Sequence, residues 1–219
     1  MRNSILAASL LALAVASPAA HAFKEGDIIV RAGAITVDPH EDSGEIHAGG
    51  AAIPGTKATL DSDTQLGLNF AYMVTDHVGI ELLAVTPFSH DVGTKGLGGL
   101  KLGTIKHLPP TLSAVYYPLE TGSAFQPYAG LGINYTWFFD TELTSEADAT
   151  FDGLDMKDSW GLAYQVGADY MLTDNIMLNA QVRYIDIDTT GTTHLGATKV
   201  DVDVDVDPFV YMVGLGYKF

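Results

Sequence analysis

Cysteine is absent from this chain. That removes any disulfide framework, any thiolate nucleophile and any Cys-ligated metal centre. Positive charge is scarce too: 11 Lys and Arg stand against 27 Asp and Glu, a net charge of −16. Phosphate backbones call for the opposite sign, so no nucleic-acid partner is expected. Beyond the first segment there is no apolar run of about 18 residues, so no helix is expected to span a bilayer. No G-x-S-x-G, HExxH, P-loop or CxxC pattern occurs. The glycines of "KGLGGLKLG" (Gly96 to Gly99) precede no helical pattern and read as a flexible loop, not a phosphate cradle. His107 with Ser113 is the nearest approach to a catalytic pair, and His40, His47, His77, His90, His107 and His194 fall mostly in loops without metal-ligand spacing. The expectation is therefore no enzyme, no cofactor and no metal site.

The first residues have their own logic. Arg2, the apolar run Ile5 to Ala16 and the A-x-A triplet Ala20-His21-Ala22 form a secretory leader, with cleavage expected before Phe23. Residues 1–22 are then leader and residues 23–219 the mature chain. Losing Arg2 takes the net charge from −16 to about −17.

What the mature chain has is alternation. Leu66, Leu68, Phe70 and Tyr72 share one face against Gln65, Gly67, Asn69 and Ala71. Leu131, Ile133, Tyr135, Trp137 and Phe139 stand opposite Gly130, Gly132 and Asn134. Trp160, Leu162, Tyr164, Val166, then Leu178, Ala180, Val182, Tyr184, then Phe209, Tyr211, Val213, Leu215, Tyr217 and Phe219 repeat the pattern. A period of two means strands. Weaker alternation near 27–37, 79–86 and 110–117 brings the expected number to eight. Short connections (Thr75 to His77, Pro118 to Pro127, Thr173 to Asn175) alternate with long ones at about 38–58, 87–109, 140–157 and 188–205. An even-numbered antiparallel set with short turns at one rim and long loops at the other is an all-β, eight-stranded transmembrane barrel. The short turns and both termini would face the periplasm. A soluble barrel would carry its apolar faces inward, the reverse of this distribution. Outer-membrane lipid is then the expected surroundings.

Strand parity assigns an interior. Ile35, Val37, Leu83, Val85, Ile185, Ile187, Val202 and Val204 would face inward in the outer half, lining an apolar pocket or simply packing the rim. Arg31, Gln65, Asn69, Glu81, Gln165, Asp169, Gln181, Arg183 and Lys218 would make a polar lower half in which charges pair. In "KVDVDVDVDPFVYM" the register is expected to run through Pro208, placing Asp201, Asp203, Asp205 and Asp207 outward at headgroup height, where they could draw divalent cations towards lipopolysaccharide. Carboxylates two apart on a flat strand lie about 7 Å apart, too far to share one ion readily.

The stretches "GDIIVRAGAITVDP", "TQLGLNFAYMVTDHVGIELLAVTPFSH", "IKHLPPTLSAVYYP", "QPYAGLGINYTWFF" and "DPFVYMVGLGYKF" span most of the mature chain. They resemble the outer-membrane protein W family of Gram-negative bacteria, a pseudomonad member above all. The resemblance implies a hydrophobic channel blocked at its lower end, which takes in small hydrophobic molecules and releases them sideways through its wall. Other implied possibilities are a structural or surface-interaction barrel touching phage, colicin or host, and a narrow channel for small amino acids. Pro87, Pro109 and Pro110 fall where adjacent strands end, so they either open a gap in the wall or merely terminate strands. Tyr217 and the final Phe219 resemble the signal read by the barrel assembly machinery, and also suit plain lipid packing.

Overall fold

The computed structural model describes residues 22–219. All of the expected leader except Ala22 lies outside the described residues. Eight strands form the barrel: β1 (Ile28–Asp38), β2 (Asp63–Met73), β3 (Val78–Val85), β4 (Thr111–Tyr116), β5 (Phe125–Leu143), β6 (Ser159–Met171), β7 (Ile176–Ile185) and β8 (Phe209–Lys218). Each pairs antiparallel with its sequence neighbours, and β1 pairs with β8, so the sheet is closed. Around the ring, closure leaves no free edge strand, the condition for crossing lipid. The outward faces are apolar and uncovered: Trp160 is 72% exposed and Val213 65%, far more than a water-facing sheet tolerates over so large an area.

The first and last strands meet closely. Gly33 sits opposite Gly214, and a Cβ on Gly33 would come within 2.2 Å of the Val213 carbonyl oxygen. Only glycine permits that approach of backbones. Two of the short connections are copies of one turn. Thr75 and Thr173 each accept hydrogen bonds at their hydroxyls from the amides two and three residues on, a self-capping turn that begins Thr-Asp in both cases.

The four long connections differ from the loops expected of them. The segment after β3 is a ribbon of Phe88–Lys95 and Lys101–Leu108, its glycines forming the turn. The segment after β7 is a second ribbon, Asp188–Leu195 with Thr198–Asp205. The segment after β1 contributes Lys57–Leu60, paired to the first ribbon. The segment after β5 holds a short helix, Ser145–Asp148, and the strand Asp152–Met156, paired to the second. The barrel wall therefore continues upward as pleated sheet beyond the eight-stranded ring. The Val and Asp alternation of 200–206 is the sequence reason: one apolar and one charged face can stay extended between an apolar interior and water.

Candidate functional site

The interior is layered. At the short-turn end a cluster of Phe23, Ile29, Met73, Tyr117, Met171 and Met177 fills the lumen. This corrects the expectation that the whole lower half is polar. Ile29, Met73, Met171 and Met177 have inward parity at the extreme strand ends, and parity carried that far would have found them.

Above this plug lies an ionic band. Arg31 binds Asp169 in two-point fashion, at 2.6 and 3.0 Å, and reaches Glu81 at 3.3 Å, Asn69 at 3.2 Å and the Tyr117 hydroxyl at 2.8 Å. Its guanidinium also lies 5.4 Å over the Tyr128 ring. Arg183 donates to Glu81 at 2.8 Å and to Gln165, which itself donates to Glu81. Two guanidiniums thus meet two carboxylates, so the band is neutral, and buried charge is tolerable only on that condition. Asn179 adds bonds to Asp169 and to the Tyr128 hydroxyl. Tyr128 is seated by Gly167, where a Cβ would come within 2.6 Å of its ring. Arg31, Asn69, Glu81 and Asp169 are each 0% exposed, so the band is sealed from bulk solvent in this conformation.

Of the residues expected in the polar half, Arg31, Asn69, Glu81, Gln165, Asp169 and Arg183 are brought together. Three are not. Gln65 lies higher, bonded to Asp63 and Thr86, because β2 is staggered so that Gln65 faces Ile35. Gln181 meets the Met212 sulfur at 3.1 Å. Lys218 is at the bottom, donating to the Ala22 carbonyl. Tyr117, Tyr128 and Asn179 join the band.

Above the band the lumen is apolar. Ile35, Val37, Leu83, Ile185, Ile187 and Val204 are buried in one cluster, with Val85 and Val202 half-buried against it. Higher still is a cavity of about 70 Å³, walled by Leu60, Val92, Leu102, Leu154, Met156 and Val202 among others, its accessible surface apolar. A smaller cavity beneath it shares Leu60 and is lined by Val37, Ile187 and the pair His90 and His107. These two histidines were expected in loops, yet both point inward and are buried. Burial and the nearby His90 push the His107 pKa down to about 3, so this ring is neutral in use. His107 makes no hydrogen bond to Ser113: its Nε2 meets His90 and its Nδ1 has no hydrogen-bond partner.

Two prolines sites interrupt the wall. Between β3 and β4 the ladder holds from Val78 opposite Tyr116 to Leu83 opposite Thr111. It resumes only at Phe88 opposite His107, shifted by one residue. Ala84 to Pro87 and Leu108 to Pro110 are unpaired with each other in between. Neighbouring groups satisfy the freed backbone instead: Asn134 donates to the Pro109 and Pro110 carbonyls, and Thr86 N–H to Leu66. At Pro208 the register is the same on both sides, Tyr184 opposite Phe209 and Asp188 opposite Asp205, as the sequence parity expected, although Asp207 takes a φ of 38°. The kink gathers Asp186, Asp188 and Asp207, with ligand atoms within 4.8 Å of one another. Spacing along one strand did not anticipate this grouping, which is made across strands; both Asp207 oxygens already accept bonds, from Tyr184 and from the Ile187 amide.

Comparison with known proteins agrees with this architecture. The profile described as the OmpW family matches residues 24–219. Outer membrane protein W of Vibrio cholerae is 44% identical over 223 residues, covering 100% of both chains. The crystal structure of OprG from Pseudomonas aeruginosa superposes with a TM-score of 0.89 at 54% identity, covering 91% of this chain and 98% of that one. The solid-state NMR structure of AlkL in DMPC bilayers gives a TM-score of 0.67 at 29% identity, covering 93% and 94%.

Proposed function

The chain belongs to the OmpW family of outer-membrane barrels, and we propose that it is a passage for small hydrophobic molecules, taken from outside the cell and released sideways into the membrane. One observation carries this reading: an apolar cavity of about 70 Å³ stands above a floor whose ionic groups are wholly buried. A solute in that cavity finds no polar partner on the accessible wall and no aqueous path below. A charged or strongly polar solute would lose its hydration there without compensation. An apolar one gains about 25 cal/mol for each Å² it removes from water.

The remaining way out is the unpaired stretch between β3 and β4, flanked by Pro87, Pro109 and Pro110. Ile35, Val37, Leu83, Val85, Ile185, Ile187, Val202 and Val204 line the descent, and Leu83 and Val85 stand next to the gap. In the membrane the short turns and both termini face the periplasm, and the long ribbons face outward, with their carboxylates near lipopolysaccharide. Tyr217 and Phe219, both exposed, serve the assembly machinery as well as the lipid contact. No catalytic step belongs to this role.

The test is uptake into proteoliposomes of an apolar probe beside a polar amino acid, with wild type and Val204→Asp, folding being checked by heat-modifiable gel mobility. Selective loss of apolar uptake in the folded variant is the expected result. Uptake by folded wild type no faster than by empty liposomes would overturn the passage and favour a surface-interaction barrel.

A further inference from the structure

Two polar side chains face the lower cavity, and they are in hydrogen-bond contact with each other. His90, on Phe88–Lys95, and His107, on Lys101–Leu108, are 2% and 3% exposed. Their Nε2 atoms are 3.1 Å apart. A further contact fixes the protons: His90 Nδ1 is 2.6 Å from the Asp61 carbonyl oxygen. A carbonyl only accepts, so this nitrogen carries a hydrogen. In the neutral ring His90 Nε2 is then bare, and His107 Nε2 supplies the hydrogen that joins the rings. His107 Nδ1 is left without a partner.

The two rings are therefore unequal. His90 is anchored to the backbone through Asp61. His107 is held by one hydrogen bond and by ring contacts to Phe88 and Phe138 at 5.4 and 5.6 Å. It also stands opposite Phe88, the first paired residue above the ladder interruption. Solute descending from the upper cavity to that interruption passes this pair.

We infer that the histidine pair is a hydroxyl-recognition site, so that the solutes preferred here are small apolar molecules bearing one alcohol or phenol group. This rests on the passage proposed above and narrows its substrate class. A hydroxyl both donates and accepts. Placed between the rings, it donates to the bare Nε2 of His90 and accepts from the Nε2–H of His107. One bond between rings becomes two bonds to the solute, and neither nitrogen is orphaned. An ether or ketone accepts only, and would strand His90 Nε2 in an apolar wall. A hydrocarbon leaves the pair closed and lies against Phe88 and Phe138. A solute with several hydroxyls finds no partners for the others among Val37, Leu60, Ile187 and Val206.

The experiment compares toluene, para-cresol and para-methylanisole, which share a skeleton and differ in the hydroxyl. Binding to the refolded full chain in lipid nanodiscs is measured, corrected for partition into empty discs, with the ring nitrogens of labelled histidine followed by NMR. Para-cresol is expected to bind about fivefold tighter than toluene, the worth of one net hydrogen bond, and to shift the ring nitrogens of His90 and His107. Para-methylanisole is expected to gain nothing over toluene. His107→Phe should keep toluene and lose the cresol advantage. Equal affinity of wild type for toluene and para-cresol, or an advantage that survives in both His107→Phe and His90→Phe, would overturn the site while leaving the passage standing. Failure of folded wild type to bind any of the three would remove both. The three-ligand comparison and the nitrogen shifts in wild type decide the matter even if a variant does not fold.

Discussion

The wall of this barrel is interrupted by proline in two places, and the outcomes are opposite. At Pro208 the strand bends, but the ladder is carried across: the Ile185 amide donates to the Pro208 carbonyl and the Val206 amide to Ile187. Asp207 clasps the kink through Tyr184 and the Ile187 amide. Register and facing are kept, so Val204 and Val206 above the bend are buried just as Val210 and Met212 are below it. Between β3 and β4, prolines occupy both strands, and the pairing that resumes is displaced by one residue. A one-residue shift exchanges the two faces of a strand. Below the break the odd-numbered Glu81 and Leu83 are buried; above it the even-numbered Phe88, His90 and Val92 are. One proline in a ladder is bridged by its partner. Prolines on both sides remove donors from both, and the wall stays unpaired.

The largest effect is expected at the floor beneath both breaks. Arg31→Met leaves Glu81 and Asp169 short of a buried partner, and should cost about 3–5 kcal/mol, read from urea unfolding of the refolded barrel. A loss below about 1 kcal/mol would mean that the floor is not held by this ion network. Next comes the contrast between the breaks. Replacing Pro87, Pro109 and Pro110 together by Ala returns amide donors to the open ladder and should lower proteoliposome uptake of an apolar probe toward the empty-liposome rate. Pro208→Ala should leave uptake unchanged. Equal effects of the two would erase the functional distinction between the breaks.

A smaller change tests how Pro208 is bridged. Asp207→Ala removes the acceptor for Tyr184 and the Ile187 amide, and should destabilise by about 1–2 kcal/mol, whereas Thr86→Val beside the open break should cost less. The smallest effect concerns pH. With the His107 pKa lowered from the usual 6.5 to about 3, the unfolded chain binds a proton that the folded chain refuses between those values. Stability is therefore fully kept above pH 6.5 and declines as pH falls toward 3. The slope of unfolding free energy against pH in this window should be shallower in His107→Phe; an unchanged slope would show that His107 does not titrate this way.

The site was legible where parity runs unbroken. Arg31, Asn69, Glu81, Gln165, Asp169 and Arg183 follow from alternation, as do Ile35, Val37, Ile185 and Ile187, because each lies on a strand whose outward face is marked by large apolar or aromatic residues. Gln65 was misplaced because parity gives the face and not the height, and height depends on strand stagger. His90 was lost for a different reason. Extending the parity of Leu83 through Pro87 would turn it outward; the extra residue that turns it inward lies in its own segment 84–87, four residues set against three in 108–110, and shows only once the two sides are paired.

By itself the sequence determined an all-β barrel of eight strands, its apolar exterior and the residues that turn inward on each strand. These follow from a period of two, which is local chemistry repeated along one chain. Only the tertiary structure decided which inward residues meet. That two arginines balance two carboxylates, that methionines and Phe23 close one end, and that two histidines face each other above an unpaired stretch of wall all depend on stagger between strands. Stagger is set by closure of the ring and by pairing across it, and these join residues as far apart as Arg31 and Asp169.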